Sequence, residues 1–181
     1  MTDLQVEKKL VLDYFNEIDS CNIDSLSEVI SKYASEDFSM KCTHPFNELG
    51  NIDLVANNLW KPIKDSFSPI QRRLDIFYAG INSLDKNESK WISSMGHFMG
   101  VFNKSFLGLK PNYKSILLRF AEFYKVENNK ITEGAIFLDV MNFMQQLGLS
   151  IIPESTGLVC VTPGPMNHKG LKFDISNESE S

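Results

Sequence analysis

Long apolar runs are missing from this sequence: nowhere do about 18 apolar residues follow one another without a charge, which excludes a membrane-spanning helix. The amino terminus, MTDLQVEKKLVLDYF, breaks its apolar residues with charges every few positions and so has no signal-peptide core. Cysteine is scarce. Cys21, Cys42 and Cys160 are odd in number and far apart, which fits neither a disulfide framework nor a CxxC metal site and points to a reducing, cytoplasmic location. His44, His97 and His168 do not stand with acids or cysteines at ligand spacing, so no metal is expected. Positive charge is outnumbered, 18 lysines and arginines against 23 acids, and no basic stretch interleaves aromatics, so nucleic acid is a poor partner. GxGxxG, a phosphate loop and GxSxG are also absent, which leaves proton transfer without a cofactor as the remaining enzymology.

What the sequence has in plenty is phenylalanine, 13 residues within a 43% apolar share, in a chain whose 181 residues suit one domain. Val6, Leu10, Tyr14 and Ile18, with Val11 and Phe15 beside them, predict an amphipathic first helix. Ser25 and Glu28 are spaced as a capping box before Leu26, Val29, Ile30 and Tyr33, a second helix. A short strand over 37–42 and a loop at Pro45, Asn47 and Gly50 lead to a helical stretch over 52–67, with a kink near Trp60 or a new turn at Pro62. After Pro69 the period changes to two. Runs from Leu74, over 90–102, 115–126 and 131–138 predict four antiparallel strands, with Asn128-Asn129 as a tight hairpin turn. A short helix over 140–147 should end at Gly148 in a left-handed cap. Residues 1–150 read as the domain, and 151–181 as an extended segment that wraps the fold to about 174 and then becomes disordered.

The order of helices, sheet and a terminal Asp at a strand end resembles the nuclear transport factor 2-like cone, and within it the SnoaL-like polyketide cyclase family. The stretches that carry the likeness are HPFNELG (44–50), LWKPI (59–63), QRRLDIFYAG (71–80), WISSMGHFMGVF (91–102), LRFAEFYKVENNKITEG (118–134), FLDVMNFMQQLG (137–148) and PGP (163–165). The resemblance implies an α+β fold, a curved antiparallel sheet wrapped around N-terminal helices. Where many relatives have a Thr-Gly pair before the third long strand, this chain has Asn112-Tyr113. The fold hosts cyclases, isomerases, hydrolases, dehydratases and non-catalytic binders, so it does not choose among them.

Three titratable residues are candidates for chemistry. Asp139 closes the fourth predicted strand with the parity of Ala135 and Phe137 and should point into the cone if they line it. The resemblance implies a general acid/base there for an aldol-type ring closure; the alternative is an N-cap for the helix at Val140. Glu122 is the charged member of a strand face made of Ile116, Leu118, Phe120, Tyr124 and Val126, where desolvation would raise its pKa unless Arg72 or Arg73 pairs with it. His97 shares a face with Trp91, Met95 and Met99 and is either a proton carrier or a hydrogen-bonded core residue. Arg72, with the parity of Leu74, Ile76 and Tyr78, could hold an anionic substrate group or neutralise a neighbouring acid. Trp60, Trp91, Phe106, Met95, Met141 and Met144 are candidate cavity walls whose spacing suits ordinary core equally well.

The expected function is a cofactor-free lyase, isomerase or cyclase acting on a small apolar carbonyl compound, with Asp139 as base and Glu122 or His97 as acid. The alternatives are a carrier or sensor that binds such a molecule without turnover, or a dimerisation module. A homodimer through the open face of the sheet is expected in either case.

Overall fold

The computed structural model describes residues 4–84 and 88–149. The readings made above for residues 151–181, including the wrapping role of the tail and PGP, fall outside them. The fold opens with α1 (Gln5–Ser20), whose buried Val11, Tyr14, Phe15 and Ile18 follow the predicted 3–4 spacing. A 3-10 turn, Ile23–Ser25, leads into α2 (Leu26–Tyr33). Ser25 makes no capping hydrogen bond through its side chain, so the predicted capping box does not form: the 3-10 turn already occupies the entry to the helix.

β1 (Ala34–Cys42) and the two-residue β2 (Glu48–Leu49) form a small hairpin, followed by α3 (Ile52–Val55), a π turn (Ala56–Trp60) and α4 (Lys61–Ser66). Pro62 does not break this run. It lies in the first turn of α4, where proline's missing N–H costs little, directly after the π turn that widens the helix at Trp60. Then come β3 (Gln71–Ile81), β4 (Lys90–Val101), β5 (Ser115–Glu127), β6 (Lys130–Leu138) and α5 (Val140–Gln146). Asn128 and Asn129 have φ of 49° and 59°, the left-handed pair that the β5–β6 hairpin requires. Gly148, at φ 81°, ends α5 as its sequence position predicts. Tyr113, in the position where the resemblance leads one to expect glycine, takes φ 55° despite its side chain.

The strands form one six-stranded sheet in the order β2-β1-β6-β5-β4-β3. Neighbours among β3 to β6 are antiparallel as expected, but β1 runs parallel to β6, so the sheet is mixed. Among the described residues, helices cover one face and leave the other open. Alternate residues of β5, Ile116, Leu118, Phe120, Glu122, Tyr124 and Val126, are all buried on the covered face. The first residues of β5, which extend past the end of β6, are paired by a side chain instead: Leu117 N–H donates to Gln146 Oε1 at 3.0 Å, and Gln146 Nε2 donates to Leu117 C=O at 2.8 Å. This locks α5 to the sheet and brings Phe143 into an aromatic cluster with Phe67, Phe102 and Phe106.

Candidate functional site

The register of β3 against β4 slips between Leu74 and Ile76. One extra residue in a strand reverses the side-chain alternation beyond it. Arg72 and Leu74 therefore face the helices, but Phe77 rather than Tyr78 continues that face, and Tyr78 is exposed on the other side. The expected parity of Arg72 with Ile76 and Tyr78 is corrected by this bulge. Gly96 makes the slip possible: a Cβ there would stand 1.9 Å from the Arg73 carbonyl oxygen and 3.1 Å from Phe120.

The bulge delivers Arg72 into the centre of the covered face. Its guanidinium lies 4.1 Å from the centroid of Phe15, 4.7 Å from Phe98, 5.2 Å from Trp60 and 5.3 Å from Phe120, a cage of four rings. Within it, Arg72 Nη1 donates to Glu122 Oε2 at 2.5 Å and Nε donates to Asp19 Oδ2 at 2.9 Å. Glu122 is fully buried, whereas the Asp19 side chain is 30% exposed at the end of α1, so the chain of charges runs from solvent to the deep core. Ser94, opposite Glu122 on β4, donates to Glu122 Oε2 at 3.4 Å. Beside them Trp60 Nε1 donates to the Tyr14 hydroxyl at 3.2 Å. Arg72 Nη2, Glu122 Oε1 and the Tyr124 hydroxyl are buried without a hydrogen-bond partner among the described residues.

One cation serves two carboxylates here, so full ionisation would leave a net negative charge inside the core. The more deeply buried acid is the one that resists it. Burial pushes Glu122 up and the Asp19 charge adds to that; Arg72 and the hydrogen bonds pull it down, but desolvation prevails and the carboxyl is raised to about 7. The two acids hold Arg72 charged at every ordinary pH. Burial likewise pushes the phenols of Tyr14 and Tyr124 up, with the Glu122 charge as the next cause, so both remain O–H groups.

The other sequence candidates lie elsewhere. His97 projects from the open face of β4, where its Nδ1 meets Asp75 Oδ2 at 2.8 Å, with Arg73 and Arg119 as its cross-strand neighbours. Asp139 is an N-cap: its Oδ1 accepts from Asn142 N–H at 2.9 Å and its Oδ2 meets Arg119 Nη2 at 2.8 Å. The residues that share its parity do not line the cone, since Phe137 is 54% exposed on the open face. Trp91 and Met95 are on that face too, Trp91 Nε1 donating to Ser89 Oγ at 2.9 Å. Trp60 joins the Arg72 cage, while Phe106 belongs to the Phe143 cluster. Met141 is exposed on α5 and Met144 half-buried. Among the described residues no three His, Cys, Asp or Glu side chains are grouped as a metal site.

Residues 86–147 match the family of SnoaL-like polyketide cyclases. The matched stretch contains Glu122, Tyr124 and Ser94 but neither Arg72 nor Asp19. Solved structures extend the likeness to the fold. AclR of Streptomyces galilaeus, a candidate hydroxylase, superposes with a TM-score of 0.63 at 17% identity over 83% of this chain and 87% of its own. A candidate SnoaL-like polyketide cyclase from Jannaschia sp. CCS1 gives 0.61 at 14% identity over 79% and 91%. An NTF2-like protein from Burkholderia thailandensis E264 gives 0.57 at 15% identity over 81% and 98%. The α+β cone expected from the resemblance is thus the observed fold. No curated protein matches the chain by sequence.

Sequence reasoning missed Asp19, Ser94 and the hydroxyls of Tyr14 and Tyr124. Asp19 had a signal, since it follows Phe15 by four and so borders the buried face of α1. Ser94 shares the parity of Ile92, Gly96 and Phe98 and could have been read the same way. Of the two alternatives for Arg72, an anion holder or the partner of a neighbouring acid, the geometry shows its contacts with Asp19 and Glu122.

Proposed function

We propose that this SnoaL-like protein is a cofactor-independent enzyme of the lyase, isomerase or cyclase type, and that it moves a proton on a small apolar carbonyl compound held beside Glu122 and Arg72. The observation that carries the reading is the unused half of the buried ion pair: among the described residues, Glu122 Oε1 and Arg72 Nη2 are both left without hydrogen-bond partners inside the core. A carboxyl raised to about 7 is present in both protonation states near neutral pH, as a general acid/base requires. As carboxylate, Glu122 takes the proton beside the carbonyl and the electron pair moves to oxygen, where the Arg72 guanidinium faces the developing charge. Returning the proton to another atom isomerises the compound; attack of the carbanion on a second carbonyl closes a ring. His97 and Asp139 have no part in this site.

Screening β-dicarbonyl and polycyclic carbonyl compounds for hydrogen exchange or ring closure supplies the assay. Glu122→Gln, which keeps size and one acceptor, should then lower turnover roughly a hundredfold or more while the protein stays folded. Full turnover in that variant removes the reading. The ring cage around Arg72 favours a second reading, a carrier that binds the same class of compound without turnover, and binding without exchange by any compound would support it.

The same proposal includes a homodimer through the open sheet face and a reducing, cytoplasmic setting. Tyr78, Met95 and Phe137 are about half exposed there, beside a groove of about 420 Å³ lined by Tyr78, Trp91 and Phe123. Cys21 and Cys42 are free thiols, and no helix among the described residues is long and apolar enough to cross a membrane. A monomeric mass by light scattering at micromolar concentration would remove the dimer.

A further inference from the structure

Arg72 divides its hydrogen bonds unevenly in consequence, although evenly in number: Nε serves Asp19, Nη1 serves Glu122, and Nη2 serves neither. Asp19 is the only one of the three charged groups with appreciable contact with solvent. A charge there keeps part of its hydration, which one on Glu122 cannot, and Asp19 acts as the standing counter-ion of Arg72. Tyr124 stands two residues from Glu122 on the same buried face of β5, with an unpartnered hydroxyl, and its ring packs against Tyr14 at 5.6 Å and Phe15 at 5.5 Å. Around Glu122 the packed elements contribute Asp19 and Tyr14 from α1, Arg72 from β3, Ser94 from β4 and Tyr124 from β5 itself.

We propose that Asp19 is a positioning residue that sets the ligand class of the site: by taking up the charge of Arg72 it leaves the buried cluster without net charge, so that the cluster accepts an uncharged oxygen-bearing ligand and rejects a carboxylate. Arg72 Nη2 and the Tyr124 hydroxyl are the two donors for the ligand oxygen, and Glu122 Oε1 is the proton-carrying atom beside it. Arg72 is then no receptor for a ligand that arrives as an anion, because its charge is already shared with Asp19; it meets only the charge that develops on the ligand oxygen. The inference rests on Glu122 as the proton carrier, but it concerns how charge is shared and which ligands enter, and it is tested without turnover.

The test uses the full chain, its variants Asp19→Asn and Tyr124→Phe, and two probes of similar shape, 2-naphthol and 2-naphthoate. Glu122 is titrated by infrared spectroscopy through the C=O stretch of its protonated carboxyl, assigned by its loss in Glu122→Gln. Asp19→Asn keeps an oxygen acceptor for Arg72 Nε and should lower the Glu122 midpoint by about one pH unit or more, since Arg72 then has one counter-ion. An unchanged or raised midpoint overturns the role of Asp19, whether or not the protein is an enzyme. At pH 7 the wild type should bind 2-naphthol at least tenfold more tightly than 2-naphthoate, by fluorescence titration, and Asp19→Asn should narrow that ratio. Equal binding, tighter binding of the carboxylate, or no binding of either probe overturns the ligand class. Tyr124→Phe should melt no lower than the wild type, because its hydroxyl has no hydrogen-bond partner among the described residues, and should weaken 2-naphthol several-fold. Unchanged affinity removes Tyr124 from the site. If Asp19→Asn does not fold, the probe ratio in the wild type and the Tyr124→Phe comparison still decide the ligand class.

Discussion

The two faces of strands β3 to β6 carry similar residues to opposite ends. On the covered face, Arg72 and Glu122 meet among four aromatic rings with the carboxylate fully removed from water. On the open face, Arg119 meets Asp139 at nearly the same distance, but their side chains are 48% and 35% exposed. An arginine–carboxylate pair is thus not one thing. Solvent screens the outer pair, whereas desolvation within the inner one turns its acid into a group that exchanges a proton near neutral pH.

The largest expected contrast comes from removing the arginine on each side. Arg72→Ala strands Glu122 and Asp19 and empties the ring cage, and should cost roughly 3–5 kcal/mol in chemical denaturation. Arg119→Ala breaks a screened pair and should cost less than about 1 kcal/mol. Similar losses would dissolve the distinction.

A second contrast is pH dependence. The folded chain holds the Glu122 proton more tightly than the unfolded chain, with a pKa of about 7 against an ordinary 4.5. The contribution to stability is therefore fully present below 4.5, is withdrawn as pH rises through about 7, and is level above that. The gap corresponds to about 3 kcal/mol for this one group. Subtracting the stability–pH curve of Glu122→Gln from that of the wild type isolates it, and a flat difference between pH 4.5 and 7 would contradict the assignment.

The bulge that aims Arg72 offers a third, smaller effect. Gly96→Ala forces a methyl onto the Arg73 carbonyl and should cost roughly 1–3 kcal/mol, while Gly80→Ala, with nothing within 4 Å of its added carbon, should stay within about 0.5 kcal/mol. Equal melting temperatures for the two variants would show that the strand accommodates both. The smallest effect belongs to Asp139→Asn. Asparagine caps a helix about as well as aspartate, so the loss should be a few tenths of a kcal/mol, with turnover on any active compound unchanged. A hundredfold fall in turnover would return Asp139 to the chemistry.

Much of the fold was legible because it is written in periodicity. The 3–4 spacing of Val11, Tyr14, Phe15 and Ile18, the alternation of β5 and the Asn128-Asn129 turn are local signals, and each element stands where its pattern puts it. The buried setting of Glu122 was readable for the same reason. Its partner was not decided, because parity counted from Arg72 to Tyr78 runs across a bulge whose cause, the absence of a Cβ at Gly96, lies on the neighbouring strand. His97 and Asp139 show the complementary limit: alternation tells which residues share a face but not which face the helices cover. Asp19 comes from a helix 53 residues before Arg72, and no spacing rule connects the two. The parallel pairing of β1 with β6 is equally non-local.

A fully buried carboxyl beside a charged arginine holds its proton to near neutral pH. Site-resolved titration of Glu122 in the wild-type protein, by the infrared band lost in Glu122→Gln, tests it most directly. A midpoint near 7 is the predicted result; a midpoint at or below the ordinary 4.5 would mean that Arg72 outweighs desolvation and that the pair is a fixed structural salt bridge.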